Sequence, residues 1–236
     1  MLKLKSILLA TFLLASSHVA QASLYFSGFY GSLGLGASWI KGDHKYLDPL
    51  QPPSESKFSH FGGLTSFHFG YITEKGISTI MLGGELYVAK YFNNMKKSIY
   101  LANHVYQGIV DIHHKVAYAP AFIIGKLINP KIMVYAKVAY EFSTVAYKYQ
   151  EFLSINNTRT SQNVNKSYRQ IVPGAGFRYA AGDRFHIGAE YSLVPLGKVE
   201  ITGLNAASGA GKASAESKIL DNRFLITFTY QMNGSN

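Results

Sequence analysis

The chain has 236 residues, with 23 Lys and Arg against 13 Asp and Glu, giving a formal charge of +10. Only 15% of residues are charged while 14% are aromatic, so there is ample apolar surface to bury and a disordered tail is excluded. With no Cys, a disulfide scaffold, a thiolate zinc site and a thiol nucleophile are excluded as well.

Lys3 and Lys5 precede an apolar run from Ile7 to Ala15, broken only by Thr11, and Ala20-Gln21-Ala22 supplies a small-x-small cleavage pattern. The run is about half of the roughly 20 apolar residues that a spanning helix needs. Residues 1–22 therefore read as a cleaved signal peptide, leaving 23–236 as one exported domain. Both removed charges are lysines, so the formal +10 falls by two.

From Tyr25 onward the pattern has a period of two, the mark of strands with two different faces. Tyr25, Phe29, Leu33, Leu35 and Trp39 alternate with Gly28, Ser32, Gly34, Gly36 and Ser38. Phe61, Phe67, Phe69 and Tyr71 come next, followed by Ile80, Leu82, Leu86 and Val88. Val116, Tyr118, Phe122 and Ile124 alternate with Lys115 and alanines, and Val134, Val138, Tyr140 and Phe142 with Lys137, Glu141 and Ser143. Ile171, Ala175, Phe177 and Tyr179 oppose Gln170, the glycines and Arg178. Phe185, Ile187, Tyr191 and Leu193 oppose His186, Gly188, Glu190 and Ser192. The last strand sets Phe224, Ile226, Phe228, Tyr230 and Met232 against Arg223, Thr227, Thr229 and Gln231.

Eight strands result. Short connections near 72–78, 125–131 and 181–184 carry turn formers, and long polar ones fall at 41–60, 93–110, 150–166 and 198–219. This alternation predicts an all-β, eight-stranded antiparallel up-and-down transmembrane barrel, with short periplasmic turns, four long extracellular loops and both termini in the periplasm. A soluble lipocalin-like cup would turn its apolar face inward. Here the face opposite the large apolars carries Glu85, Lys137, Glu141, Arg178, Glu190 and Arg223, so the apolar face points to lipid.

The segments Gly28-Phe29-Tyr30-Gly31-Ser32-Leu33-Gly34-Leu35-Gly36, Gly83-Gly84-Glu85-Leu86, Gly174-Ala175-Gly176-Phe177-Arg178-Tyr179 and Gly188-Ala189-Glu190-Tyr191 resemble the small eight-stranded bacterial outer-membrane family. That family includes the OmpA transmembrane domain and opacity-like surface antigens. The resemblance spans essentially the exported chain and implies an outer-membrane location, with a role in surface interaction and envelope integrity.

Several residues stand out on this frame. Glu85, Glu141 and Glu190 against Lys137, Arg178 and Arg223 are expected to pair inside a lumen that side chains can fill. Tyr25, Tyr71, Tyr179, Phe185 and Tyr230 suit a periplasmic aromatic girdle, and Trp39 and Phe61 an outer one. Lys90, Lys148 and Arg169 break the outward apolar pattern at outer strand ends and are candidate contacts for lipopolysaccharide. Catalytic patterns are not met. Gly209-Ala210-Gly211-Lys212-Ala213 lacks the first Gly and the hydroxyl residue of a phosphate loop, and neighbouring His113 and His114 point to opposite faces. No cofactor or metal is expected, and the charge is too scattered for nucleic acid. The sequence thus points to a monomeric, non-enzymatic barrel that meets outer-membrane lipid and, through its loops, a host or surface macromolecule. The alternatives are a narrow passive channel and a lipid-modifying enzyme.

Overall fold

The computed structural model describes residues 25–47, 53–74, 79–92, 94–100, 106–153, 159–205 and 212–232. The signal-peptide segment lies outside them. Period-two alternation becomes nine strand segments: β1 (Gly28–Leu47), β2 (Ser54–Glu74), β3 (Ile80–Phe92), β4 (Asn94–Tyr100), β5 (Tyr106–Asn129), β6 (Ile132–Leu153), β7 (Arg159–Ala180), β8 (Phe185–Asn205) and β9 (Lys212–Gln231). All pairings are antiparallel, in the order β3-β2-β1-β9-β8-β7-β6-β5-β4, and β3 also pairs with β5. Because Lys90 faces Val116 and Asn94 faces His113 on the same strand, β3 and β4 are two parts of one staves-wide position. The result is a closed eight-stranded up-and-down barrel, in which β3 pairs with both β2 and β5 to complete the ring.

The exposed large apolars form a belt. Phe29, Leu33, Leu35 and Trp39 on β1 lie on the outside, as do Phe61, Phe67, Phe69 and Tyr71 on β2. The pattern continues through Val116, Tyr118, Phe122 and Ile124 on β5 to Phe224, Ile226, Phe228 and Tyr230 on β9. Side chains of this size remain outside only where lipid replaces water.

The expectation of four long polar connections is corrected. Ladders run on to Tyr46↔Ser54, Tyr106↔Leu153, Phe152↔Arg159 and Asn205↔Lys212, so most of 41–60, 93–110, 150–166 and 198–219 is paired strand. The physical reason is an inversion of faces. Beyond Trp39, Ile40, His44 and Tyr46 are buried while Lys41 and Asp43 are exposed, so the wall there is polar outside and apolar inside. The barrel thus projects past its lipid belt as a water-facing cylinder.

The three strand prolines, Pro120, Pro173 and Pro195, behave differently. Pro120 keeps register with Leu86 across β3, and the shifts in β5 fall instead at His114/Ala117 and Leu127/Asn129. Pro173 keeps register with Val138 on β6, but the β7–β8 ladder runs only from Ala180↔His186 to Gly174↔Ser192 and stops beside it. A residue without an N–H is a natural end for a ladder. Pro195 lies on the facing strand, where β8 shifts register against β9 between Pro195 and Gly197, and Gly197 takes a φ of 71°. Lys166 donates across this seam to the carbonyl of Lys198.

Candidate functional site

The lumen is filled in three layers. At the end where β1 begins and β9 finishes, Phe26, Ile72, Met81, Ile123, Leu127 and Met133 form a buried apolar cluster. At the far end a second cluster includes Ile40, Phe58, Ile112, Tyr147, Leu196 and Ile219. Between them the inward face of the strands carries charge.

Glu85 on β3 is the centre of the lower ionic group. Tyr30 donates its hydroxyl to Oε2 at 2.7 Å, and Lys137 Nζ reaches Oε1 at 3.2 Å. Arg178 Nη2 lies 3.4 Å from Oε2. His68 Nδ1 lies 2.8 Å from Oε1, and Ser66 Oγ lies 2.7 Å from the other ring nitrogen. A carboxylate only accepts, so His68 donates from Nδ1. Lys137 also pairs with Glu190, which accepts from Tyr135 at 3.0 Å and Ser192 at 3.2 Å. The guanidinium of Arg178 lies 4.3 Å from the Tyr30 ring centre and 5.3 Å from that of Tyr135, so two aromatic faces hold it as well.

Two glycines make room for these rings. A Cβ on Gly70 would lie 2.6 Å from the Tyr30 hydroxyl, and one on Gly176 the same distance from the Tyr135 hydroxyl. The small residues opposite the apolar face are therefore the space in which tyrosines reach glutamates.

Glu141 on β6 anchors the upper group. Arg223 grips it with both terminal nitrogens, at 2.5 and 2.9 Å, in the fork geometry that matches a carboxylate. Tyr87 donates to it at 2.6 Å and Gln170 at 3.1 Å. Arg223 Nε also reaches Asp221 at 3.2 Å, and Asp221 accepts from Ser38 at 2.6 Å.

All six charged residues read from the sequence as interior are therefore buried in the lumen, in two groups: Glu85, Lys137, Arg178 and Glu190 in one, Glu141 and Arg223 in the other. Asp221, His68 and the tyrosines at 30, 87 and 135 join these groups without having been expected there. Asp221 carried a signal, since it stands two residues from Arg223 on the same face. The tyrosines carried one in parity alone, since their ring type matches the lipid face but their positions fall on the inward one.

Of the proposed girdle, Tyr71, Tyr179, Phe185 and Tyr230 are exposed on the outside at the end where β1 begins and β9 finishes. Tyr25 is not with them. It precedes β1, and Gly28 with its φ of 118° turns the chain there, so Tyr25 lies half-buried against the lower apolar cluster. Lys90 and Arg169 are exposed, and Lys148 is half-buried. They do not converge. Lys90 is on β3, and Lys148 lies six positions along β6 from Phe142, the partner of Arg169.

Among the described residues no group of three or more His, Asp or Glu is placed to hold a metal ion. On the outer cylinder His44 Nδ1 lies 2.9 Å from Ser217 Oγ, with Tyr147 OH 3.0 Å from the same oxygen. Burial lowers the pKa of His44 to about 4.

The chain resembles outer membrane protein PagN of Salmonella typhimurium, at 23% identity over 188 residues that cover 79% of this chain and 69% of that protein. Among solved structures, the outer membrane protein OprG from Pseudomonas aeruginosa matches with a TM-score of 0.51 and 10% identity, over 88% of this chain and 98% of that one. The attachment invasion locus protein of Yersinia pestis matches at a TM-score of 0.33 and 11% identity, over 84% and 99% of the two chains. The family model described as outer membrane protein beta-barrel domain matches residues 6–231, and with the closed barrel, its lipid belt and its charged interior this places the chain in that family of outer-membrane proteins.

Proposed function

We propose that this outer-membrane barrel is a surface-contact and envelope-integrity protein rather than a conduit or an enzyme. The observation that carries the reading is the filled lumen: an ionic layer closed above and below by buried apolar clusters leaves the protein's outer wall and far end as the places where it can act. Loops and rims on a rigid scaffold are the usual seat of binding, and here the water-facing cylinder holds its rim clear of the lipid. The reading also takes the far end as extracellular, residues 1–22 as a cleaved signal and the barrel as a monomer. Lys90, Lys148 and Arg169 act singly, as headgroup contacts for lipopolysaccharide.

The test is retention of a laboratory Gram-negative strain on epithelial monolayers. Cells producing the full chain are expected to be retained above the vector control. Replacing residues 101–105 and 154–158 with Gly-Ser repeats is expected to abolish that gain while the barrel still shows a heat-dependent gel shift. Retention equal to vector with a folded, surface-exposed barrel would overturn the contact role.

A further inference from the structure

Just beyond the lipid belt, the outward face of four adjacent strands carries a row of lysines. Lys198 on β8 and Lys218 on β9 are direct cross-strand partners. Lys41 on β1 pairs with Leu220, two residues from Lys218 on the same face, and Lys57 on β2 pairs with Asp43, whose other partner is Lys218. These four lysines line one shallow groove of about 560 Å³, in which Asp43 is the single acidic residue.

Like charges directly opposite each other on a sheet repel, so a Lys198–Lys218 pair asks for anions. Lys198 has them: Glu216 at 2.7 Å and Glu200 at 3.5 Å. Lys218 and Lys41 have no carboxylate within 4.0 Å among the described residues. Lys41 instead lies over the Trp39 ring, its Nζ 3.5 Å from the centroid. The groove therefore sets four lysines against one lining carboxylate, with Lys41 and Lys218 outside the ion pairs that hold Lys198.

Its other rim is apolar. Leu220 and Pro195 line it, and Trp39 and Phe61, 44% and 69% exposed, stand at the top of the belt below. A wall that is apolar on the lipid side and cationic one step above is complementary to an amphiphile, with acyl chains along the belt and anionic oxygens at the ammonium groups. A soluble sulfated polysaccharide would use the lysines but have no use for the lower rim. We propose that this groove binds the phosphorylated headgroup of an outer-leaflet lipid. It gathers lysines of the β8–β9–β1–β2 wall, away from Lys90, Lys148 and Arg169, and it does not depend on the surface-contact role.

The test titrates the full, folded chain in detergent micelles with diphosphoryl lipid A, with the same lipid after phosphatase treatment, and with heparin. The Lys41→Gln/Lys218→Gln variant is expected to bind the diphosphoryl lipid about tenfold or more weakly. Lys41→Arg/Lys218→Arg and the control Lys126→Gln/Lys131→Gln, at the opposite end, are expected to match the unaltered chain. Unmodified protein is expected to prefer the diphosphoryl lipid over its dephosphorylated form. Equal affinity for the two lipids, or unchanged affinity in the Gln variant with its heat-dependent gel shift intact, overturns the proposal. Loss of heparin binding with lipid binding retained would overturn it too, and would identify a polysaccharide as the occupant.

Discussion

Arg223 and Glu141 stand 82 positions apart in the chain and meet in the lumen through two parallel nitrogen–oxygen contacts, with Asp221 on the guanidinium's remaining side. Removing one member of a buried pair leaves the other charge uncompensated, which costs about 3–5 kcal/mol, whereas removing both is far milder. Arg223→Met is thus expected to lower the urea midpoint of the refolded barrel steeply. Arg223→Met/Glu141→Gln is expected to recover much of that loss. If the two single substitutions were additive in a double-mutant cycle, the pair would not be coupled and the ionic layer would be mere proximity.

The outer cylinder has its own titrating group. His44 is buried beside Ser217 and Tyr147, and burial depresses its pKa to about 4. A base depressed when folded takes up its proton more readily once unfolded, so the unfolded chain binds more protons between about pH 6.5 and 4. Stability is expected to fall as pH drops through that window, by roughly 3 kcal/mol in total, and to be flat on this account above it. The readout is the urea midpoint of the chain against that of His44→Gln, which is expected to lose this part of the slope. An identical pH profile in the two proteins would show that His44 is not held neutral by burial.

The β7–β8 seam makes a dynamic prediction. Beyond Gly174↔Ser192 the described strands have no ladder between them, so backbone amides facing the seam lack the protection found across β6–β7 and β8–β9. Hydrogen exchange in micelles is expected to show a fast set of amides, roughly every second residue, over Val164–Val172. Pro173→Val, which restores a donor, is expected to slow them. Uniform protection along β7 in the unaltered chain would mean that the seam is paired in solution.

Much of the barrel was legible because lipid writes a simple rule. From Phe224 to Tyr230 every second residue is large and apolar, as are four of the six alternate positions from Phe29 to Trp39, and this parity gives face and strand existence. The same rule failed beyond the belt. At Lys41, Asp43 and Lys45 the outward side becomes charged and the inward side apolar, so a search for outward apolars reads paired strand as loop. The interior charges were legible as odd residues on a small-residue face, but their grouping was not. Which of Glu85, Glu141 and Glu190 meets Arg178 or Arg223 depends on strand stagger, which short motifs do not encode. The lysine groove was hidden for a related reason: Lys41, Lys57, Lys198 and Lys218 come from four strands, and only the inverted outer wall sets them side by side.

The central claim is that paired charges and the apolar clusters on either side of them close the lumen. Single-channel recording of the refolded, unaltered chain in planar bilayers addresses it most directly. The account predicts a flat trace under applied voltage, with no discrete steps beyond the empty bilayer. Steady, reproducible unitary conductance would contradict it, and would make the passive-channel reading the better one.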